Sequence, residues 1–202
     1  NGSSDTVGGV YCGSQEFIND TKNVNNGACM LLGPTMDSFR SASILKNLRT
    51  LHIRMKQHSH NALFLAERFE EDGLKVSYPG LKSHKNHELM KSMMHEEFGF
   101  GGLLTLDAGT TDKANELMEM MQQENLGYLA VSLGFYKTLF SCSGSSTSSE
   151  IPEEEREAMG ISDGLIRFSI GLDHDIERTY EKMKECMLKT GVLNHEITSS
   201  IF

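Results

Sequence analysis

The first residue in this sequence that calls for chemistry is a charge inside an apolar strand pattern. Arg167 sits in Gly164-Leu-Ile-Arg-Phe-Ser-Ile-Gly171. A guanidinium in such surroundings needs an anionic partner, because a buried unpaired charge is costly. Its fork of N–H donors suits a carboxylate held by two bonds. Pattern alone leaves two readings open. One is a structural ion pair or a solvent-facing side chain, which carries the greater weight; the other is a ligand site. Ser132-Leu133-Gly134 follows the apolar run Tyr128 to Val131. Polar groups and free backbone N–H at a strand end are suited to holding an anion. The run Ser141 to Ser149 is rich in hydroxyls, and a surface linker is its commoner explanation. Ser43-Ile-Leu-Lys46 has serine-hydrolase spacing but lies on a helical pattern without companion motifs. His58 and His60 are two apart on a helix and face different ways; His84 and His87 could share a face but lack a third ligand. Cys12, Cys29, Cys142 and Cys186 form no metal-binding pair. No metal site is expected.

These residues need elements to position them. Val7 to Cys12 reads as the end of a buried strand, and Ser14 opens a short helix to about Asn23. Asn23 to Pro34 is read as a loop from its Asn, Gly and Pro content. Apolar residues then recur at three-to-four spacing from Leu45 to Phe69, predicting one long helical stripe that ends at Gly73. Beyond it the pattern alternates. Strands are expected at Leu74–Tyr78, Gly102–Asp107, Tyr128–Val131 and Leu165–Ile170. Helices are expected at Asn86–His95, with Leu89, Met90, Met93 and Met94 inward, from a Thr111 cap to about Asn125, from Pro152, and at Ile176–Leu188. Strands mixed with covering helices give an α/β or α+β sandwich. The opening strand and helix cannot bury their faces alone, so residues 1–35 are expected to be the tail of a larger domain.

Composition narrows the function. The 202 residues carry 19 Lys plus Arg against 28 Asp plus Glu, a formal charge of −9. An acidic chain without a basic block is a poor partner for nucleic acid or an anionic membrane. No apolar run approaches the roughly 20 residues of a membrane span, and the start has no signal-peptide pattern. Twelve Met and unpaired Cys fit a reducing, cytoplasmic setting.

Several strings, taken in order, match a family. They are NGSSDTVGGVYCGS, ACMLLGPTM, LRTLHIRMKQHSHNALFLAERF, KVSYPGL, GGLLTLD, AVSLGFYKTLFSCSGSSTSSE and GISDGLIRFSIGL. The chain resembles the carboxyl-terminal half of the pyridoxal-phosphate enzymes of cysteine and methionine metabolism, within them the plant-type methionine γ-lyases. The resemblance implies the α/β fold-type-I architecture. Residues 1–35 would end the cofactor-binding large domain, 36–72 would form a long linking helix, and 73–202 would be the small C-terminal α/β domain. It implies pyridoxal 5′-phosphate as cofactor, a sulfur amino acid as substrate, and a homo-oligomer built as a dimer of dimers.

The resemblance also implies roles for particular residues. Arg167 would receive the substrate α-carboxylate, aided by Ser132 and the Leu133 backbone, with Thr147 supporting the arginine. That reverses the order of the two readings of Arg167. The Schiff-base lysine would fall three residues before Asn1, so no catalytic lysine is expected in this chain, which alone would be inactive. The Thr147 loop departs from the usual pattern, with Ser143 and Ser148 where many members have Pro and His. Lys137 stands where many cystathionine-using members have Glu, which favours methionine as substrate. The alternatives are cystathionine γ-lyase or γ-synthase activity and, in another class, a truncated non-catalytic domain with an assembly role.

Overall fold

Alternation along two strands decides which way the sheet faces. In Leu103–Asp107, Leu104 and Leu106 are buried while Leu103, Thr105 and Asp107 are less so. In Leu165–Ser169, Ile166 and Phe168 join the core and Arg167 points to the other side. Side chains two apart share a strand face, so Leu165, Arg167 and Ser169 line the outer surface together. The computed structural model describes residues 1–142, 155 and 162–194. Thr147 and the expected Pro152 helix lie outside them.

Residues 1–50 form one compact unit. Its helices are α1 (Gln15–Thr21), α2 (Ala28–Leu32) and α3 (Ser38–Leu48). Ser14 caps α1, its Oγ accepting from the Phe17 N–H, and Asp37 caps α3 through the Phe39 and Arg40 N–H groups. The expected strand at Val7–Cys12 is not formed. Val7 and Val10 are 82% and 88% exposed, and the segment has no neighbouring strand to pair with. The expected loop at 23–34 contains α2. Asn23 and Gly27 shape its entry, Ala-Cys-Met-Leu-Leu favours a helix, and Gly33 ends it in the left-handed conformation at φ 55°. None of these three helices buries a residue.

The predicted stripe from Leu45 to Phe69 is divided between two helices, α3 and α4 (Leu51–Glu71). At Thr50 both the N–H and the hydroxyl bond the Asn47 carbonyl. That local closure competes with continuing the helical ladder.

Residues from Leu51 onward form the second unit. After α4 come β1 (Val76–Ser77), α5 (His87–Met93), β2 (Leu103–Asp107), α6 (Thr111–Gln123), β3 (Tyr128–Leu129), β4 (Leu139–Cys142), β5 (Leu165–Ser169) and α7 (Ile176–Lys189). The sheet order is β1-β2-β5-β4-β3, antiparallel except for the β3–β4 pair. On the inner face α4 and α6 pack on strands, and α7 packs against both helices. Leu65 and Phe69 of α4, Leu117 and Met121 of α6, and Met183 and Met187 of α7 meet Leu104, Phe140, Ile166 and Phe168 there. Each such side chain contributes about 1.5–3 kcal/mol on burial.

Three local expectations change. The α6 cap is Thr110, whose Oγ1 accepts from the Lys113 N–H, one residue before the expected Thr111. The α5 face expected to be inward is only partly covered: Met90 and Met94 are half-buried, while Leu89 and Met93 are 57% and 67% exposed. That segment is held instead by His87, stacked on Phe100 at 5.0 Å and bonded through Nδ1 to the Pro79 carbonyl. Ser141 and Cys142 belong to a strand, β4, which the Ser-rich composition concealed.

Candidate functional site

β5 brings Arg167 to the outer face between Thr105 of β2 and Ser141 of β4. The side chain is half-buried, and among the described residues no carboxylate pairs with it. Its Nη2 donates to the Val131 carbonyl at 2.8 Å. Among the described residues its Nε is buried without a hydrogen-bond partner, and so is the neighbouring Ser141 Oγ. A buried polar group left unsatisfied costs about 1–3 kcal/mol. Two of them side by side, one on a cation, mark a place suited to an added acceptor.

The Val131 carbonyl joins this strand to the second candidate. Ser132 and Leu133 follow directly and are exposed. Gly134 then adopts φ 67°, a conformation open to Gly at no steric cost. Its N–H donates to Ser169 Oγ at 2.9 Å. Arg167, on the central strand, thus contacts the residue immediately before Ser132 and Leu133. Thr147, the fourth expected residue, lies outside the described residues.

Ser169 and Ser141 were not singled out from sequence. Strand periodicity is the available signal for Ser169, two residues from Arg167, while Ser141 is the first residue of the Ser-rich run. His58 was noted only as a metal candidate, and the structure gives it another place. It is buried on α4, and its Nδ1 lies 2.6 Å from the Ile170 carbonyl. A carbonyl only accepts, so that nitrogen carries the hydrogen. Burial holds the His58 pKa below the ordinary value and nearby Arg54 adds to this, against the pull of the Ile170 bond. The ring is therefore neutral at pH 7. His58 also lines a cleft of about 280 Å³ with Met55, Phe100, Leu133, Gly134 and Ser169.

Other polar groups serve the fold. Tyr78 donates to the Gly101 carbonyl at 2.8 Å, and burial pushes its pKa up to about 12. Asn61 donates to the Gly171 and Asp173 carbonyls at 3.0 and 2.8 Å, anchoring the chain beyond β5 to α4. A larger cavity, about 580 Å³, is lined by Lys56, His60, His87, Lys91 and Phe98, and by none of Arg167, Ser132 and Leu133. Among the described residues no three His, Cys, Asp or Glu side chains cluster as a metal site.

The donor set at Arg167 suits a carboxylate. It does not fit the covalent anchor of an aldehyde cofactor. Lys184 is engaged by Asp72, Lys75 by Asp107, Lys56 by Glu97, and Lys113 by the Gly191 carbonyl. Lys137 lies over the Tyr128 ring. No lysine is bonded to Arg167, Ser132 or Ser169.

Comparison with known proteins supplies the class. The family described as Cys/Met metabolism PLP-dependent enzyme matches residues 1–186, and the chain belongs to it. A methionine γ-lyase of Arabidopsis thaliana is 42% identical over 189 residues, covering 93% of this chain and 43% of that protein. A cystathionine β-lyase of Lactococcus lactis subsp. cremoris (strain MG1363) is 36% identical over 193 residues, covering 93% and 47%. Among solved structures, yeast cystathionine γ-lyase superposes with a TM-score of 0.72 at 29% identity, covering 80% of this chain and 41% of that one. An O-acetylhomoserine (thiol)-lyase structure from Campylobacter jejuni, containing N′-pyridoxyl-lysine-5′-monophosphate, gives 0.68 at 30% identity, with 77% and 36% covered. The fold is thus that of the fold-type-I pyridoxal-phosphate enzymes, and the chain spans less than half the length of these relatives. No helix among the described residues is long and apolar enough to cross a membrane.

Proposed function

We propose that the intact protein is a pyridoxal-phosphate-dependent lyase of sulfur amino acids. Its reaction converts L-methionine and water to methanethiol, 2-oxobutanoate and ammonia. The observation that carries this reading is Arg167, half-buried beside the Ser132–Gly134 turn with no carboxylate partner among the described residues. Its guanidinium receives the substrate α-carboxylate. The Ser132 side chain and the Leu133 N–H add hydrogen bonds, and Thr147 supports the arginine.

Pyridoxal phosphate supplies, when bound, the electron sink for cleavage next to the amino carbon. The residues of this chain bind and orient. Fixing the carboxylate fixes the rotation of the substrate about its α-carbon, and so which bond is aligned for cleavage. Residues 1–35 belong to a cofactor domain, and the unit from Leu51 onward, whose core includes α4, is the small domain that brings Arg167. The protein works in the cytoplasm as a dimer of dimers. Methionine is favoured by the relative of Arabidopsis thaliana and by Lys137, a cation over the Tyr128 ring that gives no acidic partner to a distal ammonium.

A second reading, cleavage or synthesis of cystathionine, is favoured by relatives named for those activities. A substrate panel on the full-length protein decides between them. Methanethiol release from methionine, with little turnover of cystathionine, supports the first. The reverse order of kcat/KM would overturn it.

A further inference from the structure

Two side chains on β5 hold the turn after β3 at its two ends. Arg167 bonds the Val131 carbonyl, and Ser169 Oγ accepts the Gly134 N–H. β4 lies between β3 and β5, with Ser141 opposite Arg167 and Leu139 opposite Ser169. β3 runs parallel to β4, with Tyr128 beside Leu139. The chain leaves β3 away from the level of Ser169, so it must fold back over the outer face to bring Gly134 there. The positive φ of Gly134 accompanies that reversal. Ser169 is only 4% exposed, so the bond is not freely exchanged for one to water.

The bond also sorts the donors of the turn. The Gly134 N–H is occupied by Ser169. The N–H groups of Ser132 and Leu133 have no partner among the described residues. They remain available on the segment that Arg167 and Ser169 hold between them.

We propose that Ser169 is a positioning residue for the substrate carboxylate. It pins Gly134, and thereby presents the Ser132 and Leu133 donors beside Arg167. It does not touch the substrate. This rests on the assignment of Arg167 to the carboxylate. The contrary reading is that Ser169 is only a small residue permitting close packing, in which case alanine would serve equally.

The test uses the full-length protein loaded with its cofactor. Ser169→Ala, Ser169→Thr and Arg167→Ala are compared for kcat and KM with methionine, and amide exchange is followed at Gly134. Loss of one orienting hydrogen bond is expected to raise KM about tenfold in Ser169→Ala, with kcat within about twofold of the parent. Gly134 exchange is expected to quicken in that variant. Ser169→Thr, which keeps the hydroxyl, is expected to return KM to within about threefold of the parent. An unchanged KM in Ser169→Ala, with Arg167→Ala severely impaired, overturns the role of Ser169 and leaves the Arg167 reading standing. Unchanged kcat/KM in Arg167→Ala instead sinks that underlying reading. Failure of threonine to restore what alanine loses assigns the effect to packing and overturns the proposal. If Ser169→Ala does not fold, the parent decides: a protected Gly134 amide supports the bond, and one exchanging at the rate of an open loop refutes it.

Discussion

Replacing Asn61 with Asp changes one donor group into an acceptor at nearly constant volume. Asn61 is fully buried on α4, and its Nδ2 gives hydrogens to the Gly171 and Asp173 carbonyls at 3.0 and 2.8 Å. Its Oδ1 accepts from Gln57 Nε2 at 2.7 Å. The substitution leaves two carbonyls facing a carboxylate oxygen, with no cavity to confuse the outcome. Losing a hydrogen bond and orphaning a buried acceptor costs about 1–3 kcal/mol. The Gly171 contact is buried and the Asp173 contact only partly so, which puts the sum near 2–4 kcal/mol. With a urea slope of about 2 kcal/mol/M, the midpoint should fall by roughly 1–2 M. The assay is urea unfolding followed by far-UV circular dichroism, with Glu67→Gln on the exposed side of α4 as control. A midpoint for Asn61→Asp within about 0.2 M of the parent, on the same slope, would show that these bonds do not anchor the chain after β5.

Two further outcomes follow from the electrostatics. His58 is neutral in the fold because burial lowers its pKa, so the unfolded chain binds more protons below about pH 6.5. Its contribution to stability is complete above that pH and lost as pH falls towards the lower folded value. His58→Asn, which can keep a donor for the Ile170 carbonyl without titrating, should weaken the dependence of the urea midpoint on pH between about 5 and 7; identical profiles would refute this. Lys75 is paired with Asp107 at 2.8 Å, yet its side chain is 81% exposed. Asp107 keeps bonds from Ser162 Oγ and the Gly109 N–H. Lys75→Met should therefore change stability by less than about 1 kcal/mol, and a larger loss in thermal or urea unfolding would contradict the reasoning.

What the sequence makes legible is what local periodicity encodes. β2 alternates throughout and β5 as far as Phe168, and the stripes of α6 and α7 repeat at helical spacing, so these elements fall close to where the pattern puts them. β4 escaped because all four of its residues are buried, which removes the alternation, and because it runs into Ser-rich sequence. Val7–Cys12 misled for the opposite reason: an apolar run becomes a strand only when another strand pairs with it. The inward face assigned to α5 is covered only at Met90 and Met94, because periodicity identifies an apolar face without saying what covers it.

The site divides in the same way. Arg167 was visible as a charge among apolar neighbours, and Ser132 and Leu133 as the end of a strand. Their convergence was not visible, because it depends on a bond from Arg167 to Val131, 36 residues away in sequence. Ser169 carries no local signal, since a serine on a strand is ordinary until its partner is known. The carboxylate role proposed for Arg167 comes from the resemblance to a family rather than from any spacing.

The most direct test compares Arg167→Ala with the parent in the full-length protein, measuring kcat/KM for methionine while the cofactor absorbance confirms equal loading. A charge-assisted hydrogen bond is worth about 1.5–3 kcal/mol, which corresponds to roughly a ten- to hundredfold loss. A loss of that size with the cofactor retained is the predicted result. Unchanged kcat/KM would contradict the assignment of Arg167 to the substrate carboxylate.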